Sequence, residues 1–319
     1  MIGIGIDVGG TFVKFLAVDE NGKSLKQDQI PTHPEDGPKA FIEKVAAFTL
    51  GWQKEFKGRQ MAVGMGIAGE ADPDNGKIHF APNLNKWRNV PISEPFEKLT
   101  GMSCVLENDA NMAGWGAYEW ELKRKYKNVL AVTLGTGVGG GIVLDGKMFH
   151  GGSGAAGEIG HIRVVPEGEL CNCGSRGCVE AYAGNYAICR RTAQALEKAP
   201  SKSLLKKICD EEGVSTLALS KAAEMGDPIA LKIWEETGTY LARGLASVCL
   251  VLNPDAVVLT GGVSRASKYF VKAINDEFGR QTITTPFKHL KLVVAETSNL
   301  GSIGAALFGL EWARARKAA

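Results

Sequence analysis

No stretch of this 319-residue chain approaches the ~20 consecutive apolar residues that a membrane helix needs. The N-terminus, Met-Ile-Gly-Ile-Gly-Ile before Asp7, lacks a basic segment and a small-residue cleavage site, so no secretory signal is visible. Excess charge is missing too. The 37 Lys and Arg residues against 35 Asp and Glu leave a formal +2, which is too small for a nucleic-acid surface. The densest basic run, Lys123-Arg124-Lys125-Tyr126-Lys127, reads as a solvated helix end. These absences argue against a membrane or nucleic-acid partner and point to a cytoplasmic protein. With 45% hydrophobic and 23% charged residues the chain is expected to pack into a globular core. Its length allows two ordinary domains or one large one.

Glycine is plentiful, at forty residues, and it gathers near apolar runs, as if backbone were built to approach a ligand. Ile2, Ile4 and Ile6 alternate with Gly3 and Gly5 as in a strand. The turn Asp7-Val8-Gly9-Gly10-Thr11 follows, then the apolar run Phe12 to Val18 and a hairpin signal at Asp19-Glu20-Asn21-Gly22-Lys23. The plan recurs: strand Val129 to Leu134, turn Gly135 to Gly141, strand Ile142 to Leu144, and hairpin Asp145-Gly146-Lys147. Helical patterns cover Ala40 to Lys54, Ala110 to Trp120 after Asp109 as N-cap, Ile229 to Leu252 after Asp227-Pro228, and Ser302 to Arg316. Strands alternating with helices give an α/β fold with helices on the sheet faces. The expected division is residues 1–120 plus 302–319 against residues 121–301.

Each glycine turn is a candidate phosphate loop. Gly9 and Gly10 remove side chains where a phosphate would meet backbone N–H groups, Thr11 adds a hydroxyl, and Lys14 follows on the next strand. Asp7 is placed to hold Mg²⁺ through water. The plainer alternative is a tight hairpin that needs positive φ. The second turn, Gly135-Thr136-Gly137-x-Gly139, favours the phosphate reading, because two such turns suggest two jaws on one polyphosphate. Gly261-Gly262, after the apolar strand Ala256 to Leu259, is a candidate adenosine loop. None of these is a Walker A motif or a dinucleotide fingerprint.

This pattern resembles the actin and hexokinase superfamily, and within it the ROK family of repressors, open reading frames and kinases. The resemblance covers nearly the whole chain. It is sharpest in Leu134-Gly135-Thr136-Gly137-Val138-Gly139-Gly140-Gly141-Ile142, Gly157-Glu158-Ile159-Gly160-His161 and Cys171-Asn172-Cys173-Gly174-Ser175-Arg176-Gly177-Cys178-Val179-Glu180. It implies two actin-like (ribonuclease H-like) α/β domains flanking a deep cleft, with a small zinc-binding module. It also implies ATP-dependent phosphorylation of a hexose, with glucose the first expectation and N-acetylglucosamine, N-acetylmannosamine, mannose or fructose as alternatives. A homo-oligomer, dimer or tetramer, is the expected assembly. A sugar-responsive repressor, also found in the family, is disfavoured, because the first strand begins at Ile2 with no helix-turn-helix before it.

Cys171, Cys173 and Cys178 are spaced C-x-C-x₄-C, and His161 lies ten positions before the first of them. Three thiolates and one imidazole make a closed tetrahedral Zn²⁺ site. The alternative is three free cysteines in a polar loop. A closed site activates no water, and the resemblance implies a structural zinc that orients neighbouring sugar ligands. Cys104, Cys189, Cys209 and Cys249 fall in apolar surroundings and read as core.

Phosphoryl transfer to a hydroxyl requires positioning, charge neutralisation and a proton acceptor. Asp109, in Glu107-Asn108-Asp109-Ala110-Asn111, stands where an apolar strand meets a helix, at an edge where α/β proteins bind ligands. Spacing alone would make it only a helix cap. The resemblance implies that Asn108 contacts sugar and that Asp109 is the catalytic base. The remaining sugar-binding candidates are Gly69, Glu70, Asn83, Glu158, His161 and Glu180. Asn83 alone would pass for an ordinary turn residue.

Overall fold

The computed structural model describes residues 1–318. The chain opens with strands β1 (Ile2–Val8), β2 (Phe12–Val18) and β3 (Ser24–Pro31), helix α1 (Gly37–Glu55) and strands β4 (Met61–Ile67), β5 (Glu70–Asp72), β6 (Lys77–Ala81) and β7 (Trp87–Pro91). Helix α2 (Ser93–Thr100), strand β8 (Ser103–Asn108) and helix α3 (Asp109–Gly116) follow, and α3 runs into a π-helical turn, Ala117–Glu121. Strands β9 (Val129–Leu134), β10 (Val138–Leu144) and β11 (Lys147–Met148) precede helices α4 (Glu180–Ala183), α5 (Asn185–Leu196), α6 (Leu204–Glu212), α7 (Thr216–Glu224) and α8 (Pro228–Leu252). The chain closes with strand β12 (Ala256–Thr260), helices α9 (Val271–Gly279) and α10 (Thr285–Lys288), strand β13 (Lys291–Val294) and helix α11 (Leu300–Ala318).

Three sheets result, ordered β3-β2-β1-β4-β8, β11-β10-β9-β12-β13 and β5-β6-β7. The first two repeat one plan, a hairpin edge followed by parallel strands. In the first sheet β1 pairs antiparallel with β2 and parallel with β4, so Asp7 faces Lys14 on one side and Gly66 on the other. Strand β8 pairs parallel with β4 and ends with Ile67 opposite Asn108. No helix among the described residues is long and apolar enough to cross a membrane.

Among the described residues two compact units form: residues 1–131, 141–157 and 299–318, and residues 132–140 with 158–298. This differs from a division at residues 120 and 301, because residues 121–131 and 141–157 belong with the first unit. Close backbone packing explains part of the difference. A Cβ on Gly141 would lie 2.6 Å from the Ala110 carbonyl oxygen and 2.9 Å from Gly114 Cα, so the middle of β10 is pressed onto α3.

The first core joins Ile2, Ile4 and Ile6 to Phe41, Val45, Met65 and Leu106. Trp87 is part of it, edge-on to Phe41 with ring centroids 5.4 Å apart, so this tryptophan is core. On the opposite face of the sheet α11 lies unusually close. A Cβ on Gly5 would sit 1.8 Å from the Ser302 carbonyl oxygen, and one on Gly64 would sit 1.9 Å from that of Ala305. Much of the glycine in the strands therefore admits a helix and not a ligand, which corrects the reading drawn from composition. The second glycine turn, Gly135 to Gly141, is likewise shorter than expected. Gly139, Gly140 and Gly141 lie within β10, and only Gly135-Thr136-Gly137 turns.

Candidate functional site

In the first unit three candidate residues, Gly69, Asn108 and Asp109, meet at the β8–α3 junction. Pairing with β4 carries β8 to Asn108, and α3 starts at Asp109. Asn108, in extended conformation, is therefore the N-cap. Its Oδ1 accepts from the backbone N–H groups of Ala110 at 2.8 Å and Asn111 at 3.1 Å. This corrects the assignment of the cap to Asp109, which occupies the first helical position and accepts from Ala110 N–H at 2.9 Å. Asn108 Nδ2 donates to the Gly69 carbonyl at 3.0 Å. Gly69 has φ 139° and a Cβ there would meet the Phe80 carbonyl oxygen at 2.3 Å, so no side chain fits. Gly69, Asn108 and Asp109 are thus brought together, while Glu70 begins β5 with an exposed side chain.

Two residues that sequence reasoning passed over complete this corner. Glu107 is fully buried, accepting from Asn108 N–H at 2.7 Å and Asn111 Nδ2 at 3.0 Å through Oε1. Its Oε2 pairs with His150 Nε2 at 2.5 Å. An acidic residue ending an apolar strand was the available signal, since buried carboxylates are rarely left unpaired. His150 lies 43 positions away and carried none.

The Asp7–Thr11 turn has a mixed outcome. Gly9 N–H donates to the Phe12 carbonyl at 3.0 Å, so that amide closes the hairpin and does not offer itself to a phosphate. Neither Gly9 nor Gly10 adopts positive φ. Gly10 is closely approached, because a Cβ there would lie 3.2 Å from the Asn83 carbonyl oxygen. Gly10 and Asn83 are neighbours, and both are exposed, as are Thr11 and Lys14. The buried Thr32 was not foreseen. Its hydroxyl donates to the Gly9 carbonyl at 2.7 Å and its N–H to that of Thr11 at 2.9 Å. Burial pushes the Asp7 carboxyl above its ordinary range, and the Lys14 charge pulls it back.

In the second unit, Gly135 N–H closes its turn on the Gly137 carbonyl at 3.0 Å. The start of α5 abuts the same turn, with Asn185 N–H donating to the Gly135 carbonyl at 3.0 Å. Glu180 Oε2 accepts from Val138 N–H at 3.0 Å, and a Cβ on Gly137 would lie 2.1 Å from that same oxygen. Glu180 therefore braces the glycine turn. Its Oε1 lies 3.5 Å from Cys171 Sγ. Gly261 has φ 96° and packs on Leu134, where a Cβ would meet the carbonyl oxygen at 2.4 Å. Gly262 faces open space.

The ligand atoms of His161, Cys171, Cys173 and Cys178 lie within 4.8 Å of one another. Cys173 and Cys178 sulfurs are 3.9 Å apart, and Cys171 Sγ is 3.8 Å from His161 Nδ1. Tetrahedral zinc with Zn–S bonds of ~2.3 Å requires S···S separations of about 3.8 Å. The donor set and its spacing therefore fit the ion. Gly174 and Gly177, at φ 88° and 78°, turn the chain around the cluster. His161 Nε2 points to Glu158 Oε2 at 3.7 Å, so the two ring nitrogens address different partners. Of the other cysteines, Cys104, Cys209 and Cys249 are buried and Cys189 is half-buried.

The chain is similar to known proteins over nearly its whole length. The chain is 35% identical over 308 residues to a glucokinase of Streptomyces coelicolor, covering 95% of this chain and 96% of that one. It is 38% identical over 267 residues to a glucokinase of Thermotoga maritima, covering 83% of each. Its fold matches a ROK family glucokinase from Streptomyces griseus solved with glucose and AMPPNP, with a TM-score of 0.83 and 34% identity over 98% of this chain and all of that one. The ROK family pattern spans residues 3–311, and the chain belongs to the ROK family.

Proposed function

We propose that the protein transfers the γ-phosphoryl group of ATP to the 6-hydroxyl of glucose. The observation that carries the reading is the β8–α3 corner, where a capping and doubly anchored Asn108 sets Asp109 on the first turn of α3. Two families of contact agree with it: a glycine-rich turn in each unit, and carboxylates and amides of the kind that read sugar hydroxyls.

Asn108, Asp109, Gly69, Glu70 and Asn83 of the first unit, with Glu158, His161 and Glu180 of the second, are the sugar-binding set. Asp7, Gly9, Gly10, Thr11 and Lys14, with Gly135, Thr136, Gly137, Gly139, Gly261 and Gly262, serve ATP. Given the hairpin bond of Gly9, Gly10 and Thr11 carry the phosphate contact on the first turn. Asp109 accepts the proton of the glucose 6-hydroxyl as O6 bonds to the γ-phosphorus. The bond from that phosphorus to the β–γ bridging oxygen breaks, and ADP leaves with the electron pair. Asp7 would hold magnesium through water, and the ion would neutralise charge on the phosphates. Zinc held by His161, Cys171, Cys173 and Cys178 is structural, fixing the backbone that leads to Glu180 and one nitrogen of His161.

A panel of glucose, mannose, fructose, N-acetylglucosamine and N-acetylmannosamine, run with ATP and with polyphosphate, tests the reading. Glucose with ATP is expected to give the highest kcat/KM. A large preference for an acetamido sugar would replace the acceptor and keep the kinase, whereas no ADP release with any sugar would remove the kinase itself.

A further inference from the structure

The pair between Glu107 and His150 has no part in the site residues assigned above, yet it touches the corner that holds Asp109. Glu107 has no exposure to solvent, while His150 retains 31% of its side-chain exposure. One carboxylate oxygen binds the backbone N–H of Asn108 and the side chain of Asn111, and the other binds the imidazole. The carboxylate thus joins the last residue of β8, the first turn of α3 and the segment after β11. That segment is held in turn: Phe149 N–H donates to the Ile142 carbonyl at 2.8 Å, and Ala156 N–H donates to the His150 carbonyl at 3.0 Å.

We propose that His150 is a positioning residue for phosphoryl transfer: by orienting the Glu107 carboxylate it fixes the Asn108 backbone, and with it the placement of Asp109. The inference rests on Asp109 being the base. A buried carboxylate that serves three donors has one orientation that satisfies all of them, and losing the imidazole leaves an uncompensated oxygen. The corner then relaxes by rotating Glu107, which moves Asn108. Small displacements of a reacting group cost large factors in rate.

The charged groups facing His150 are Glu107 from β8 and Asp74 from the β5–β6 turn. The Glu107 hydrogen bond raises the imidazole pKa above its ordinary value, burial works against the rise, and the charges of Glu107 and Asp74 add to it. A histidine whose pKa is raised on folding contributes fully below about pH 6.5, and that contribution fades as the pH rises through the folded value. Deprotonation turns the charge-assisted bond to Glu107 into a weaker neutral one, so the transfer step should weaken on an alkaline limb set by His150.

The experiment measures the single-turnover rate of glucose phosphorylation against pH, with saturating ATP and magnesium, for wild type, His150→Gln, His150→Ala and Asp109→Asn. Glucose binding and melting temperature are measured on the same preparations. Gln keeps an amide donor toward Glu107 but cannot titrate. The alkaline limb should be present in wild type, with a midpoint above about pH 6.5, and absent in His150→Gln. His150→Ala should lower the rate by about 10²-fold or somewhat less. Superposable pH profiles for wild type and His150→Gln, or a fall in melting temperature of His150→Ala with its rate intact, would overturn the role of His150. An active Asp109→Asn enzyme would overturn the base assignment instead, so the two failures are separable.

Discussion

Asn108 and Gly69 are joined by a hydrogen bond of 3.0 Å from the side-chain amide of one to the carbonyl of the other. The same side chain caps α3 through its oxygen. One residue thereby ties the loop after β4 to the helix that carries Asp109. The two functions separate by substitution. Asn108→Ala loses both and should cost about 1 kcal/mol from the cap alone, with a further loss from the Gly69 link. Asn108→Asp keeps a capping oxygen but sets a carboxylate against a carbonyl, so it should raise the glucose KM while retaining most of the melting temperature. Thermal unfolding and steady-state kinetics on the two variants would check this split.

Close packing of α11 predicts opposite effects at two glycines. Gly64→Ala drives a methyl to 1.9 Å from the Ala305 carbonyl oxygen, beyond the ~1–3 kcal/mol of ordinary overpacking. A steep loss of melting temperature or of soluble protein should result. Gly51 lies in α1 with nothing within 4 Å of a built Cβ. Gly51→Ala should stabilise the chain by about 0.8–1.0 kcal/mol through helix propensity. Equal melting temperatures for the two variants would refute the packing account.

Zinc content is the third expectation. Purified protein should carry about one zinc per chain. Cys173→Ala should lose it and weaken glucose use, whereas Cys249→Ala, at a buried cysteine of α8 outside the cluster, should retain it. Elemental analysis finding no zinc in an active wild-type enzyme would remove the structural-metal assignment.

Regular elements were legible where local chemistry decides them. The alternation at Ile2, Ile4 and Ile6 marked β1, and Asp227-Pro228 marked the start of α8, where Asp227 accepts from Ile229 and Ala230 N–H groups. The cap of α3 was misplaced by one residue for a physical reason. Asn108 and Asp109 are both good caps, and the choice depends on where β8 ends, which pairing with β4 sets. Glycine was ambiguous for the same reason. Gly5 and Gly64 admit a helix and Gly10 admits the Asn83 turn, and only the tertiary partner distinguishes these uses. The Cys-His cluster was legible because its spacing is local, while His150 meets Glu107 across 43 residues and left no pattern of its own.

The most direct test of the whole account is the turnover of Asp109→Asn. Since Asn108 supplies the cap, the substitution leaves the start of α3 intact, and the new side-chain oxygen can still accept from Ala110 N–H. Melting temperature, ATP binding and glucose binding should stay near wild type. A general base acts in the transition state, so its loss should fall on kcat, by roughly 10²–10⁴. A well-folded Asp109→Asn protein with kcat close to wild type would contradict the account.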